Sequence, residues 1–189
     1  MKALTQEEIH KVLKVAAESK RNLAIILLGL RHGMRASEIS ELGLKDVDLK
    51  NGEITIHRLK GSLKTTQPLS DVPGQPLLSE KRVLRAWLEE RGNHPSPHVF
   101  ISQKSGRLHR SQLHRIFADI AKRAGLPPEK RHIHVLKHSL GVQMVEANMN
   151  LATIKQALGH KSILSTAVYT SVSDETAGKA ITSTFANMF

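Results

Sequence analysis

Apolar positions in the first part of the chain recur at intervals of three and four. Thr5 followed by Glu8 has the form of a capping box, and Ile9, Val12, Leu13 and Ala16 then mark a first helix running to about Ser19. Arg21 to about Leu30 is apolar nearly all round, which predicts a buried helix broken at Gly33. Ser37 is the expected cap of a short third helix through Leu42. From Val47 the period changes to two. The runs V-D-L, E-I-T-I-H-R-L and K-T-T-Q-P-L are separated by Asn51-Gly52 and Gly61-Ser62, a pattern that predicts a small three-stranded antiparallel sheet. Helical spacing returns at Ser79 with Val83, Leu84, Trp87 and Leu88 on one stripe, and stops at Gly92. A short strand over Val99 to Ile101 is expected next, then a helix capped by Ser111 with Leu113, Ile116, Phe117 and Ile120 facing inward, closed by Gly125 and Pro127-Pro128. The last third reads as helices at His134 to Asn148, Leu151 to Leu158 ended by Gly159, a short segment leading to Tyr169, and Asp174 to about Phe185. The fold class implied is mainly α with a small three-stranded antiparallel β-sheet (α+β), in one domain spanning residues 1–189.

Composition narrows the function. The 189 residues carry 28 Lys and Arg against 17 Asp and Glu, a formal charge of +11 spread along the chain, and this favours a polyanionic partner. Cysteine is absent, which excludes disulfides, thiolate metal sites and cysteine nucleophiles. The longest apolar run, Leu23 to Leu30, is far short of the roughly 18 residues of a membrane span. The N-terminus turns acidic too early for a secretory signal, so a cytoplasmic protein with no membrane partner is expected. Six aromatic residues are few for stacking on single-stranded bases, and duplex DNA held by its phosphates suits the chain better. Tyr169 is the only tyrosine.

Four polar positions stand out: Arg35 in H-G-M-R-A-S-E-I, Lys60 in the turn R-L-K-G-S, the cluster H-V-L-K-H-S from His134, and L-G-H at His160 followed nine residues later by Tyr169. Singly, each has a plain structural reading as surface charge, turn lysine, helix-end histidine or core tyrosine. His134 and His138 are spaced as a metal pair, but the third ligand and nearby Glu of a zinc hydrolase motif are missing, and no metal or other cofactor is expected.

Taken together, in this order and at these gaps, the motifs resemble the tyrosine site-specific recombinases of the phage integrase family. Within it, HGMRASEIS, DVDLKNGEITIHRLK and TTQPL are most similar to the single-domain invertases that switch fimbrial operons. The resemblance runs from about Thr5 to Tyr169. It implies the recombinase catalytic-domain fold and a metal-independent enzyme that cuts and rejoins DNA. Tyr169 would be the nucleophile that forms a 3′-phosphotyrosyl link. Arg35, a planar fork, would clamp the phosphate, Lys60 would protonate the departing 5′ oxygen, His134 would assist proton transfer at the tyrosine and His160 would bind the phosphate. Glu38 would support Arg35, and His138 is read as structural. One position departs from the pattern: Lys137 stands where the family has its second arginine, keeping the charge and losing the fork. That departure leaves open, as an alternative, a catalytically degenerate relative that binds DNA as a regulator or architectural factor. The resemblance also implies double-stranded DNA as partner, a homo-oligomeric, tetrameric synapse with accessory DNA-bending proteins, and a nucleoid-associated protein of bacterial or phage origin. Residues 174–189 would pack on a neighbouring subunit, and an N-terminal core-binding domain is not expected.

Overall fold

The computed structural model describes residues 3–58, 64–102, 106–167 and 169. Among them the chain forms α1 (Gln6–Ala16), α2 (Lys20–His32), α3 (Ala36–Glu41), β1 (Val47–Asp48), β2 (Glu53–Ile56), β3 (Thr65–Pro68), α4 (Glu80–Arg91), α5 (Arg110–Arg123), α6 (His134–Glu146), α7 (Leu151–Leu158) and α8 (Leu164–Ala167). The mainly helical architecture with one three-stranded antiparallel sheet, ordered β1-β2-β3, agrees with the pattern of the sequence. The predicted helix over Asp174 to Phe185 lies outside the described residues.

Helix α2 is the hub. Its residues Ala24 to Leu28 are buried on every side, because α1, α4 and α6 pack around it. The Thr5 capping box forms as read, with the Thr5 hydroxyl accepting from the Glu8 amide at 3.2 Å and the Glu8 carboxylate accepting from the Thr5 amide at 2.8 Å. Lys130 donates to that same carboxylate at 2.6 Å, and Ser139 accepts from the Leu4 amide at 2.8 Å, so the start of α1 is fastened to the α5–α6 connection and to α6. Trp87 of α4 stacks on Phe100 and donates to the Val99 carbonyl at 3.0 Å.

Several boundaries differ from the expectation. Helix α2 begins one residue before Arg21, capped by Ser19. Arg35, not Ser37, caps α3, and His109, not Ser111, caps α5. In both cases an acceptor three residues on, Glu38 or Gln112, takes the cap amide at 2.9 Å and decides the start. Helix α6 stops at Glu146, where Asn148 adopts a positive φ of 56°. Val99 to Ile101 form no strand; only His98 pairs, with Gly43, in an isolated bridge. The first hairpin closes through residues 49–52 rather than Asn51-Gly52 alone, since Asp48 pairs with Glu53 and the Asp48 carboxylate accepts from the Asn51 amide at 2.8 Å.

Candidate active site

Helix α2 ends at Gly33, and the chain turns directly into the Arg35 cap of α3. The local rule that starts α3 also builds an arginine–carboxylate pair. Glu38 takes the Arg35 amide on one carboxylate oxygen, at 2.9 Å, and the Arg35 guanidinium on the other, at 2.8 Å. Arg35 is thereby held in one orientation while its side chain stays one-third exposed; Glu38 is buried beneath it. Burial presses Glu38 toward protonation, but the Arg35 amide, the Arg58 charge, the Arg35 guanidinium and Lys137 outweigh it and hold the carboxyl below its usual range.

Arg58 is a residue that the sequence reading passed over. Its side chain is buried completely and shares Glu38 with Arg35, at 3.1 Å. It also donates to the carbonyls of His32 at 2.9 Å, Gly33 at 3.3 Å and Ala157 at 2.8 Å. A signal was present in the sequence: the period of two that buries Ile54 and Ile56 puts Arg58 on the same face.

Helices α6 and α7 supply the rest. Lys137 is 7 % exposed and donates to the Leu158 carbonyl at 2.5 Å, at the end of α7. Three donors thus cap that helix terminus, since Gln67 joins Arg58 on Ala157 at 2.8 Å. Burial, then the charges of Arg35 and Arg58, partly offset by Glu38, bring the Lys137 ammonium down to about 7. Gly159, at φ 60°, turns the chain from α7 to His160 in a left-handed conformation that a side chain would strain. His160 is buried and 2.9 Å from the Thr166 hydroxyl through Nδ1. Desolvation and the neighbouring cations Lys137, Arg35 and Arg58 push it down to about 4, so it is neutral at pH 7.

The Tyr169 ring lies between two imidazoles, stacked on His160 at 6.2 Å and tilted against His138 at 5.3 Å. Burial raises its phenol, and the Arg35 charge offsets part of that rise. His134, one turn before His138 on α6, packs edge-on against His114 at 5.8 Å; burial, with His114 and His132, lowers its affinity for a proton. The tyrosine also depends on a missing side chain. A Cβ on Gly141 would stand 2.6 Å from the Tyr169 Cζ. Gly141→Ala is therefore expected to displace the phenol by about 1 Å and slow strand cleavage by about tenfold or more, while thermal melting holds or rises because alanine favours the helix. Single-turnover cleavage beside a melting curve checks this.

Arg35, Glu38, Lys137, His160 and Tyr169 thus come together around one patch, with His134 at its edge. Lys60 lies outside the described residues. Among the described residues no group of three or more His, Asp or Glu is placed to share a metal ion, and no helix is long and apolar enough to cross a membrane. A groove of about 1,100 Å³ between α1, α2, β3 and α7 contains none of the five; of these, Arg35 keeps a third of its side chain exposed while Glu38, Lys137 and His160 are buried.

A buried carboxylate orienting an arginine, a second cation, a neutral imidazole and a lone tyrosine are the parts of a site for phosphoryl transfer to a phenol. Comparison with known proteins agrees. Residues 2–176 match the phage integrase family. The chain is 39% identical over 173 residues to the type 1 fimbriae regulatory protein FimB of Escherichia coli (strain K12), covering 88% of this chain and 82% of that protein. It is 34% identical over 174 residues to FimE of the same strain, covering 88% and 84%. Its fold matches the crystal structure of the XerH site-specific recombinase bound to difH substrate in a pre-cleavage complex, with a TM-score of 0.76 and 26% identity over 95% of this chain and 53% of that one. The chain thus spans about half of the XerH structure and most of the fimbrial regulators. It belongs to the phage integrase family and is a tyrosine recombinase catalytic domain, an enzyme of DNA breakage and rejoining.

Proposed function

We propose that the chain cleaves and rejoins duplex DNA at specific sites with Tyr169 as nucleophile, as the convergence of Arg35, Lys137 and His160 on that tyrosine supports most directly. The Tyr169 oxygen attacks the scissile phosphorus, the bond from phosphorus to the 5′ oxygen breaks, and a 3′-phosphotyrosyl ester keeps the bond energy for rejoining. Arg35 and Lys137 face the non-bridging oxygens, where charge builds in the transition state. His160, neutral, contributes a hydrogen bond rather than a charge. The tyrosine proton leaves through an imidazole, with His134 in the role that the family motif assigns it, and Lys60 returns a proton to the 5′ oxygen. Double-stranded DNA is the partner, and cleavage occurs in a synapse of several copies. The groove between α1, α2, β3 and α7, with Ile9, Leu13, Leu30 and Leu140 on its walls, supports a docked apolar helix from a neighbouring copy, for which residues 174–189 with Ala177, Ile181 and Phe185 are the segment of choice.

Incubation with nicked duplexes bearing candidate repeats from the neighbouring genome tests the reading. A denaturant-resistant protein–DNA adduct is the expected product; binding without any adduct on every repeat tried would reject it. Deleting residues 174–189 should weaken synapsis more than single-site binding, and equal loss of both with unfolding by circular dichroism would place that segment in the chain's own core.

A further inference from the structure

The four carbonyl and carboxylate partners of Arg58 come from three separate elements, and this arrangement gives the residue a task. His32 and Gly33 end α2, Glu38 lies on α3 under Arg35, and Ala157 lies in the last turn of α7, before the turn to His160. A guanidinium with all its outer nitrogens so engaged is not free to hold a phosphate. Its stem is confined as well, because a Cβ on Gly159 would stand 2.5 Å from the Arg58 Cγ. In the sequence Arg58 is followed two residues later by Lys60. We propose that Arg58 is a positioning residue for DNA cleavage: one buried fork sets the separation between the Arg35–Glu38 pair and the α7 terminus that carries His160. The inference rests on the cleavage reading above. Lys137 reaches the α7 side of this tie through Leu158, and Gln67 joins Ala157 to the His32 ring at 2.7 Å without touching α3, so Arg58 alone among the three hydrogen-bonds to Glu38.

Arg58→Lys keeps the charge and cannot span the three elements. On a matched nicked duplex at saturating protein, DNA binding should stay within about twofold while cleavage slows by about thirtyfold or more. A general loss of stability would not produce the second signature: combined with Glu38→Gln, the joint loss should be no greater than the larger single loss, because both act through one tie. Cleavage by Arg58→Lys at the unaltered rate, or losses that multiply in the double variant, would overturn the proposal. Guanidinium NMR signals of arginine-labelled Tyr169→Phe protein decide it independently, even where the lysine variant fails to fold. Those of Arg58 should exchange slowly and stay in place when DNA is added while those of Arg35 move; Arg58 signals that exchange freely or move with Arg35 would overturn it. An unaltered protein that forms no adduct would reject the cleavage reading, and the NMR result would still decide the tie.

Discussion

Tyr169→Phe should abolish covalent attachment to DNA and leave non-covalent binding within about twofold of the unaltered protein, because the change removes one oxygen and little else. The ring keeps its stacking on His160, its contact with His138 and its place over Gly141, all of which belong to carbon atoms or to the ring face. No other tyrosine exists in the chain to take over. The raised phenol fixes the chemistry further. Tyr169 is neutral at pH 7, so its proton must leave as the bond to phosphorus forms, and the acceptor proposed above is His134, whose affinity for a proton burial and its histidine neighbours lower. Denaturing gels of both proteins on a nicked suicide duplex, beside mobility shifts at matched salt, make the comparison. An adduct from the phenylalanine variant would remove Tyr169 from the reaction.

The parts of the fold legible in the sequence are those governed by neighbours along the chain. Thr5 with Glu8, the stop at Gly33 and the turn at Gly159 all obey rules that span a few residues, and each stands where it was read. Ser37 and Ser111 misled because a good capping side chain is neither necessary nor sufficient. Glu38 and Gln112 were better guides, since an acceptor three residues into a helix selects the amide it reaches back to. The strand expected at Val99 failed for lack of a partner beyond Gly43; β-branched residues favour extended backbone, but pairing comes from elsewhere in the fold. Among the site residues, Arg35 and Tyr169 were found through motif resemblance. Their meeting depends on α2, α3, α6 and α7 packing together, which no local pattern specifies. Buried charges were the hardest. Glu80 reads as an ordinary acidic residue in a first helical turn, yet it is buried 2.7 Å from His32, which together with Ser70 outweighs the burial that presses it toward protonation. Arg58 was hidden for the same reason, although its place in the alternation with Ile54 and Ile56 was a usable sign.

Lys137 stands where the resemblance to the family leads one to expect an arginine, and it carries the second large effect. Lys137→Ala should slow cleavage at least about a hundredfold, from a loss of about 2.7 to 4 kcal/mol of transition-state stabilisation on removing one fixed cation. Lys137→Arg should cleave as fast or faster, because a fork can hold the Leu158 carbonyl and a phosphate oxygen together. The pH dependence separates the two cations. With its ammonium brought to about 7 by burial beside Arg35 and Arg58, Lys137 is charged at pH 6 and loses its proton as the pH rises, whereas an arginine stays charged throughout. The second-order cleavage rate at subsaturating DNA reports the free enzyme, so for the unaltered protein, relative to Lys137→Arg, it should fall by about tenfold from pH 6 to pH 8. Titration of groups that do not feel the charge at residue 137 cancels in that ratio. A ratio flat across this range would mean that Lys137 keeps its proton through pH 8 or that its charge is not used, and the rate of Lys137→Ala tells these apart. Equal rates for the unaltered protein and Lys137→Ala would take Lys137 out of the active site, and leave Arg35 as the cation that meets the phosphate on its own fork.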